Sequence, residues 1–166
     1  MRASEVMTRN VAVVRPDATV REAACLMDDL NVGALPVCDG RRLVGIVTDR
    51  DITVRATADG MRPDATPVHV VMTDAVCWCF EHDPVEDVER EMARRQIRRL
   101  PVLDAEKRLC GMLSLGDLAA DRAPGAAETL RSVSTPAEPD RTGRRRRTSE
   151  GSSATWPPYG EFVDRP

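Results

Sequence analysis

Nowhere in the 166 residues does the sequence approach the roughly 18 consecutive apolar residues that a membrane span requires. Met1-Arg2-Ala3-Ser4-Glu5 runs into a patterned segment without the apolar centre of a secretory leader. A cytoplasmic location, away from any membrane, is the expectation. The five cysteines (Cys25, Cys38, Cys77, Cys79, Cys110) are neither an even set nor placed in loops. That excludes the disulfide framework of a small secreted domain and makes reduced thiols the default. A basic face is lacking too. Residues 1–121 hold 16 Lys and Arg against 21 Asp and Glu, a net of −5, while residues 122–166 hold 8 against 6. Duplex binding needs cations to displace counterions, so nucleic acid is not expected as a partner.

Catalytic equipment is also missing. His69 and His82 flank one predicted strand without a nucleophile or carboxylate arranged beside them, and no catalytic triad is evident. Cys77-Trp78-Cys79 offers two thiols on one side of a strand, whereas a structural zinc site takes four ligands. Buried strand cysteines are the simpler reading. No enzyme activity, metal or required cofactor is therefore expected.

What the sequence does contain is a duplication. Val6-Met7-Thr8 recurs as Val71-Met72-Thr73, and Leu35-Pro36-Val37 as Leu100-Pro101-Val102, both at an offset of 65 residues. After one inserted residue, Leu43-Val44-Gly45-Ile46-Val47-Thr48 aligns with Leu109-Cys110-Gly111-Met112-Leu113-Ser114, and Asp51-Ile52 with Asp117-Leu118. Each copy reads strand, helix, strand, strand, helix. First strands are expected at Val11 to Val14 and Val76 to Phe80. The helix of copy one opens at the capping box Thr19-Val20-Arg21-Glu22, and that of copy two at Asp83 as cap with Pro84 in the first helical position. Val20, Ala23, Ala24 and Met27, and in copy two Val85, Val88 and Met92, form the core-facing stripes. Second strands at Ala34 to Cys38 and Leu100 to Leu103 form hairpins with third strands at Leu43 to Val47 and Leu109 to Leu113.

A strand, a crossover helix and a return strand make the first two strands parallel neighbours. One copy is too small to stand alone, so the copies should pack about a pseudo-twofold axis. The expected organisation is an α/β (α+β) fold of two tandem βαββα repeats, residues 1–58 and 69–121. A linker at 59–68 joins them, and a disordered Arg, Pro and Ser rich tail follows at 122–166. Within that tail Arg144 to Arg147 and Trp156-Pro157-Pro158-Tyr159 are read as solvated sequence rather than binding motifs.

The third strands run into helices through Gly45-Ile46-Val47-Thr48-Asp49-Arg50-Asp51 and Gly111-Met112-Leu113-Ser114-Leu115-Gly116-Asp117. Each has a hydroxyl and, three residues on, a carboxylate. Such a pair lies on one side of a helix's first turn beside amides with no intrahelical partner. Asp51 or Asp117 can accept from both hydroxyls of a ribose, while Thr48 or Ser114 and the free amides face phosphate oxygens. The same spacing is an ordinary helix cap. Its recurrence at equivalent places after a strand led by glycine favours a ligand.

The doubled pattern Val-Met-Thr, Leu-Pro-Val, Gly-x-x-Thr/Ser-x-x-Asp over roughly residues 5–121 resembles the cystathionine-β-synthase (CBS) domain family in its paired form. It is similar to the small stand-alone CBS pairs of actinobacteria, including the hypoxic-response type, and 23 Arg against the single Lys107 suits a GC-rich genome. The resemblance implies a non-catalytic regulatory module, an energy or stress sensor, that binds AMP, ADP, ATP or another adenosyl compound in clefts between the repeats. It also implies a homodimer of pairs acting on some regulated protein. The alternative is a ligand-free dimerising protein for stress or interaction. By the same resemblance Thr48, Asp51, Ser114 and Asp117 contact ribose and phosphate. Adenine lies near Val11 to Val13, Cys77 to Cys79, Ala34 with Leu35, and Arg99 with Leu100. Arg50, Arg98 and Arg99 are candidate phosphate partners. Because Leu115-Gly116 replaces Asp49-Arg50 in copy two, the first cleft is expected to be the better equipped.

Overall fold

The computed structural model describes residues 1–120 and 126–134. In chain order the elements are α1 (Ala3–Val6), β1 (Thr8–Arg9), α2 (Val20–Leu30), β2 (Ala34–Asp39), β3 (Arg42–Thr48) and α3 (Asp49–Asp51), which continues as a π-helical stretch over Ile52–Thr57. Then follow α4 (Val68–Val71), β4 (Cys79–Phe80), α5 (Val85–Arg95), β5 (Arg99–Leu103), β6 (Leu109–Ser114), α6 (Leu115–Ala120) and α7 (Ala126–Ser134). No helix among the described residues is long and apolar enough to cross a membrane.

The duplication is visible bond by bond. α2 ends at Asn31 and α5 at Gln96, both in the left-handed conformation that stops a helix. β2 pairs antiparallel with β3, and β5 with β6, each with a register shift at the matching place, Val37/Cys38 and Val102/Leu103. The parallel neighbours expected from the crossover are present as β4 beside β5 and as a single bridge from Val14 to Val37. The first strands are thus shorter than the sequence suggests. Of Val76 to Phe80 only Cys79–Phe80 is strand, and of Val11 to Val14 only Val14 bonds. A β-branched run favours extended backbone, yet only residues that reach a partner chain complete a ladder.

Each repeat places its leading segment on the other repeat. β1 joins the edge of the second repeat's sheet, giving the order β1-β6-β5-β4, with Thr8 opposite Met112. Reciprocally, Thr73 and Ile46 exchange two backbone hydrogen bonds of 2.9 Å each. The docking helices obey the same rule. Ala3 N–H donates to Asp83 O and Ser4 N–H to Glu81 O, and 65 residues on Val68 N–H donates to Ala18 O and His69 N–H to Pro16 O. The cores follow this exchange. Ala3, Val6 and Met7 are buried with Val85, Met92, Leu100 and Leu113, while Val68 and Val71 are buried with Val14, Val20, Leu35 and Val47. At about 1.5–3 kcal/mol for each fully buried aliphatic side chain, these crossing residues tie the repeats into one cooperative unit.

Three further expectations are corrected. Ala24 is exposed, because the buried stripe of α2 narrows to Val20, Ala23 and Met27. Pro84, not Asp83, stands at the N-cap position of α5, with no side-chain hydrogen bond to the helix, and the Asp83 carboxylate accepts instead from Phe80 N–H, closing the preceding turn. The tail begins with structure. α7 packs on α5, its Ser132 hydroxyl 3.3 Å from Ala93 O, with Thr129 and Val133 buried. Arg144 to Arg147 and Trp156 to Tyr159 lie outside the described residues.

Candidate functional site

The two hydroxyl-carboxylate pairs adopt the same geometry. In copy one Thr48 N–H and the Thr48 hydroxyl donate to Asp51 Oδ2 at 3.0 and 2.8 Å, and Asp51 N–H donates back to Thr48 Oγ1 at 3.0 Å. In copy two Ser114 N–H and its hydroxyl donate to Asp117 Oδ2 at 2.7 and 2.8 Å, and Asp117 N–H to Ser114 Oγ at 3.2 Å. All four residues are half-buried. Both pairs are therefore complete capping boxes that hold one carboxylate oxygen each and leave the other, Oδ1, outside the box. Each stands two residues past the contact with the other repeat's chain, Ile46 with Thr73 and Met112 with Thr8. The boxes mark the margin between the repeats.

Glycine makes that margin possible. A Cβ on Gly45 would lie 2.5 Å from Met72 Sδ and 3.1 Å from Thr73 O, and one on Gly111 would lie 2.6 Å from Met7 Sδ and 2.8 Å from Thr8 O. The Met-Thr of one repeat and the glycine of the other are two sides of one contact.

Around these shared features the copies differ. The amides expected to be free are not free in copy one. Asp49 N–H donates to Gly33 O, Arg50 N–H to Asp49 Oδ1 at 2.7 Å, and Asp51 N–H to its cap. In copy two Leu115 N–H donates to Arg98 O at 3.0 Å, Asp117 N–H is capped, and among the described residues Gly116 N–H makes no backbone hydrogen bond outside α6. Asp51 Oδ1 also faces Arg55, 3.5 Å away. The same guanidinium donates to Val71 O, Met72 O and Thr73 Oγ1, so it pins the first box to the second repeat's leading segment. The position equivalent to Arg55 is Asp121, outside the described residues.

The other expected residues divide by location. Ala34 is opposite Thr48 and Arg99 opposite Ser114 in the hairpin registers, which brings Arg98 and Arg99 to the second box. Both arginines and Arg50 are exposed. Val11 and Cys77 are half-buried, and Val13 is 41% exposed. Leu35 and Cys79 are packed in the two cores, so only their backbone can border a ligand. Burial pushes the Cys79 thiol up to about 12 and Cys38 up to about 11. An open depression of about 660 Å³ on the outer side of α2, lined by Thr19, Arg21, Glu22, Cys25, Leu26, Asp29 and Asp64, contains none of the expected ligand residues. Among the described residues no three His, Cys, Asp or Glu side chains gather as a metal set. Arg55 was missed in the sequence. Its place four residues after Asp51 is the only signal, and an i, i+4 acid-base pair is common on any helix.

Comparison with known proteins agrees with this picture. The CBS domain family model matches residues 3–56 and 68–122. The chain is 45% identical over 118 residues to the CBS domain-containing protein YhcV of Bacillus subtilis, covering 71% of this chain and 83% of that protein. It is 32% identical over 118 residues to hypoxic response protein 1 of Mycobacterium tuberculosis, covering 70% and 82%. Among solved structures, CBSX2 in complex with AMP aligns with a TM-score of 0.64 at 28% identity, over 74% of this chain and 96% of that one. The CBS pair of MJ0100 in complex with 5′-methylthioadenosine and S-adenosyl-L-methionine aligns with a TM-score of 0.66 at 25% identity, over 75% and 97%.

Proposed function

Because the chain belongs to the CBS domain family and is a regulatory CBS pair, we propose that it binds an adenine nucleotide or related adenosyl compound beside its two capping boxes and acts as a non-catalytic energy or stress sensor. The observation that carries this reading is the recurrence of one box, Thr48 with Asp51 and Ser114 with Asp117, at the edge where each repeat meets the other's leading segment. Relatives of the same fold hold AMP, or 5′-methylthioadenosine and S-adenosylmethionine. In each box Oδ1 is the oxygen for ribose hydroxyls. Arg50, Arg98 and Arg99 are the cations nearest in sequence and register for phosphate. The backbone around Val11 to Val13, Leu35, Cys77 and Cys79 is the surface for adenine.

A ligand that borders both repeats favours the arrangement it fits, and only such differential affinity can signal to a partner. The unit that acts is a homodimer of pairs in the cytoplasm, and the regulated partner is a protein. Melting with AMP, ADP, ATP, NAD and S-adenosylmethionine tests the binding. A true ligand stabilises by about 2.7 kcal/mol at 100 times its Kd, and the shift shrinks in Asp51→Asn and Asp117→Asn.

One observation favours a second reading, a dimerising interaction protein without a ligand. Both hydroxyl-carboxylate pairs are already satisfied as caps, and Asp51 is further paired with Arg55. That reading predicts no shift with any of the five compounds.

A further inference from the structure

A carboxylate oxygen accepts along two lone-pair directions, about four for the whole group. At Asp51 the Thr48 N–H and hydroxyl take both directions of Oδ2, at 3.0 and 2.8 Å. Whatever a ligand donates to this residue must therefore arrive at Oδ1. One side of Oδ1 is already faced by Arg55 Nη2, 3.5 Å away, and the Asp51 side chain is only 15% exposed. A ribose that donates both of its hydroxyls to Oδ1 needs both directions. The second is the one that Arg55 holds.

Arg55 is not free to turn to a ligand instead. Its guanidinium fork carries two N–H on each terminal nitrogen. Nη1 reaches Val71 O and Met72 O at 2.6 and 2.8 Å, while Nη2 reaches Thr73 Oγ1 at 3.3 Å and faces Asp51 Oδ1. The fork is thus filled, mostly by the leading segment of the second repeat. If Asp51 is drawn away, the bonds to residues 71–73 keep the guanidinium in place, and only the contact with Oδ1 is given up.

We propose that Arg55 sets how the Thr48–Asp51 box reads a ribose: it competes with one of the two hydroxyls for Asp51 Oδ1, so the box accepts a single hydroxyl while the pair is closed and the diol only when it opens. Arg55 acts through the carboxylate and not on the ligand, which makes it a positioning residue. The inference rests on the proposed adenosyl binding and adds to it a link with the contact between repeats. By reciprocity, the diol weakens the Arg55–Asp51 pair by the same factor by which the pair weakens the diol. That pair is what ties the box to the anchor on residues 71–73. With Arg55 42% exposed, an ion pair of this kind amounts to about two- to fivefold in affinity.

The test is titration of the isotope-labelled full chain with adenosine and, separately, with 2′-deoxyadenosine, two probes that carry no phosphate for Arg55 to attract. Amides of Thr48 to Asp51 read the first box, and those of Ser114 to Asp117 the second. In Arg55→Met, which keeps the aliphatic stem and removes the fork, adenosine should bind the first box about two- to fivefold tighter. Binding of 2′-deoxyadenosine there should be unchanged, and the second box should keep both affinities. Thr73→Val releases Nη2 to turn wholly to Asp51 and should weaken adenosine at the first box. This opposite sign decides the matter alone if Arg55→Met does not fold. If adenosine binds but Arg55→Met leaves its affinity at the first box unchanged or lower, or tightens both nucleosides alike, or if Thr73→Val fails to weaken adenosine, Arg55 does not compete and the adenosyl reading stands. If neither nucleoside shifts either box in the wild-type chain, the adenosyl reading fails and this inference with it.

Discussion

Gly111 of the second repeat stands against Met7 of the first so closely that an added Cβ would lie 2.6 Å from the Met7 sulfur. The same relation joins Gly45 to Met72. Two short sequence motifs that look independent, Val-Met-Thr and the glycine before the hydroxyl, are therefore one inter-repeat contact.

The two glycines should not tolerate substitution equally. At Gly111 the added carbon also lies 2.8 Å from the backbone oxygen of Thr8, whereas at Gly45 the matching oxygen of Thr73 is 3.1 Å away. A methionine side chain can turn aside, but backbone in a paired strand cannot move without breaking its ladder. Gly111→Ala should cost about 1–3 kcal/mol and Gly45→Ala less. Urea unfolding of both variants measures this, and equal losses would place the constraint in the methionines.

Arg55 predicts a local rather than a global effect. Its guanidinium donates to Val71 O at 2.6 Å, to Met72 O at 2.8 Å and to Thr73 Oγ1 at 3.3 Å, and faces Asp51. Arg55→Ala should speed hydrogen exchange at the Ile46 and Thr73 amides, which bond each other across the repeats. Arg55→Lys should not restore protection, since an ammonium cannot reproduce the planar fork. Unchanged exchange at these two amides would show that Arg55 is an ornament of the surface.

Glu91 gives a pH signature. Hydrogen bonding from Arg94 and then Arg95, against some desolvation, holds its carboxyl at about 2, below the ordinary 4.5. A carboxyl lowered by folding stabilises fully above its unfolded value, and that contribution is lost as the pH falls through the folded one. Glu91→Gln should therefore lower stability by about 1 kcal/mol at neutral pH, because Arg94 is largely exposed and the pairing is screened. Mutant and wild-type melting curves should converge between pH 4.5 and about 2. A gap that stays constant over that interval would assign the loss to packing.

Thiol chemistry reads the burial pattern directly. Cys25 is exposed, Cys77 and Cys110 are half-buried, and Cys38 and Cys79 are buried with their thiols pushed up to about 11 and about 12. The thiolate is the nucleophile. A disulfide reagent at pH 8 should label Cys25 first and reach Cys38 and Cys79 only on unfolding, as mass spectrometry of the labelled peptides will show.

How much of this was legible in the residues follows from what each pattern encodes. Identical triplets at offset 65 reveal a duplication and its hairpins, because β2 with β3 and β5 with β6 are local pairings. They cannot reveal the exchange. Val6-Met7-Thr8 and Val71-Met72-Thr73 are the same, so nothing in them says which repeat they pack on. The boxes at Thr48 and Ser114 were legible as boxes, yet the bonding of the copy-one amides beside them was not. Asp49 N–H reaching Gly33 O, sixteen residues earlier, is a tertiary fact. Ala24 misled because alanine suits either side of a helix, and Asp83 because an acid before proline suits a cap as well as a turn. α7 was hidden by composition, since Ala126–Ser134 sits between stretches rich in Pro, Gly and Arg. Its helix is supported by packing on α5 rather than by propensity alone.

Amide chemical shifts followed through an AMP titration of the labelled chain bear most directly on adenosyl binding between the repeats. Saturable shifts are expected at Ser114 to Asp117 and at Arg98 and Arg99, spreading across the ladder to Thr8 and Arg9. Shifts confined to the depression on α2, or none up to millimolar AMP, would contradict it.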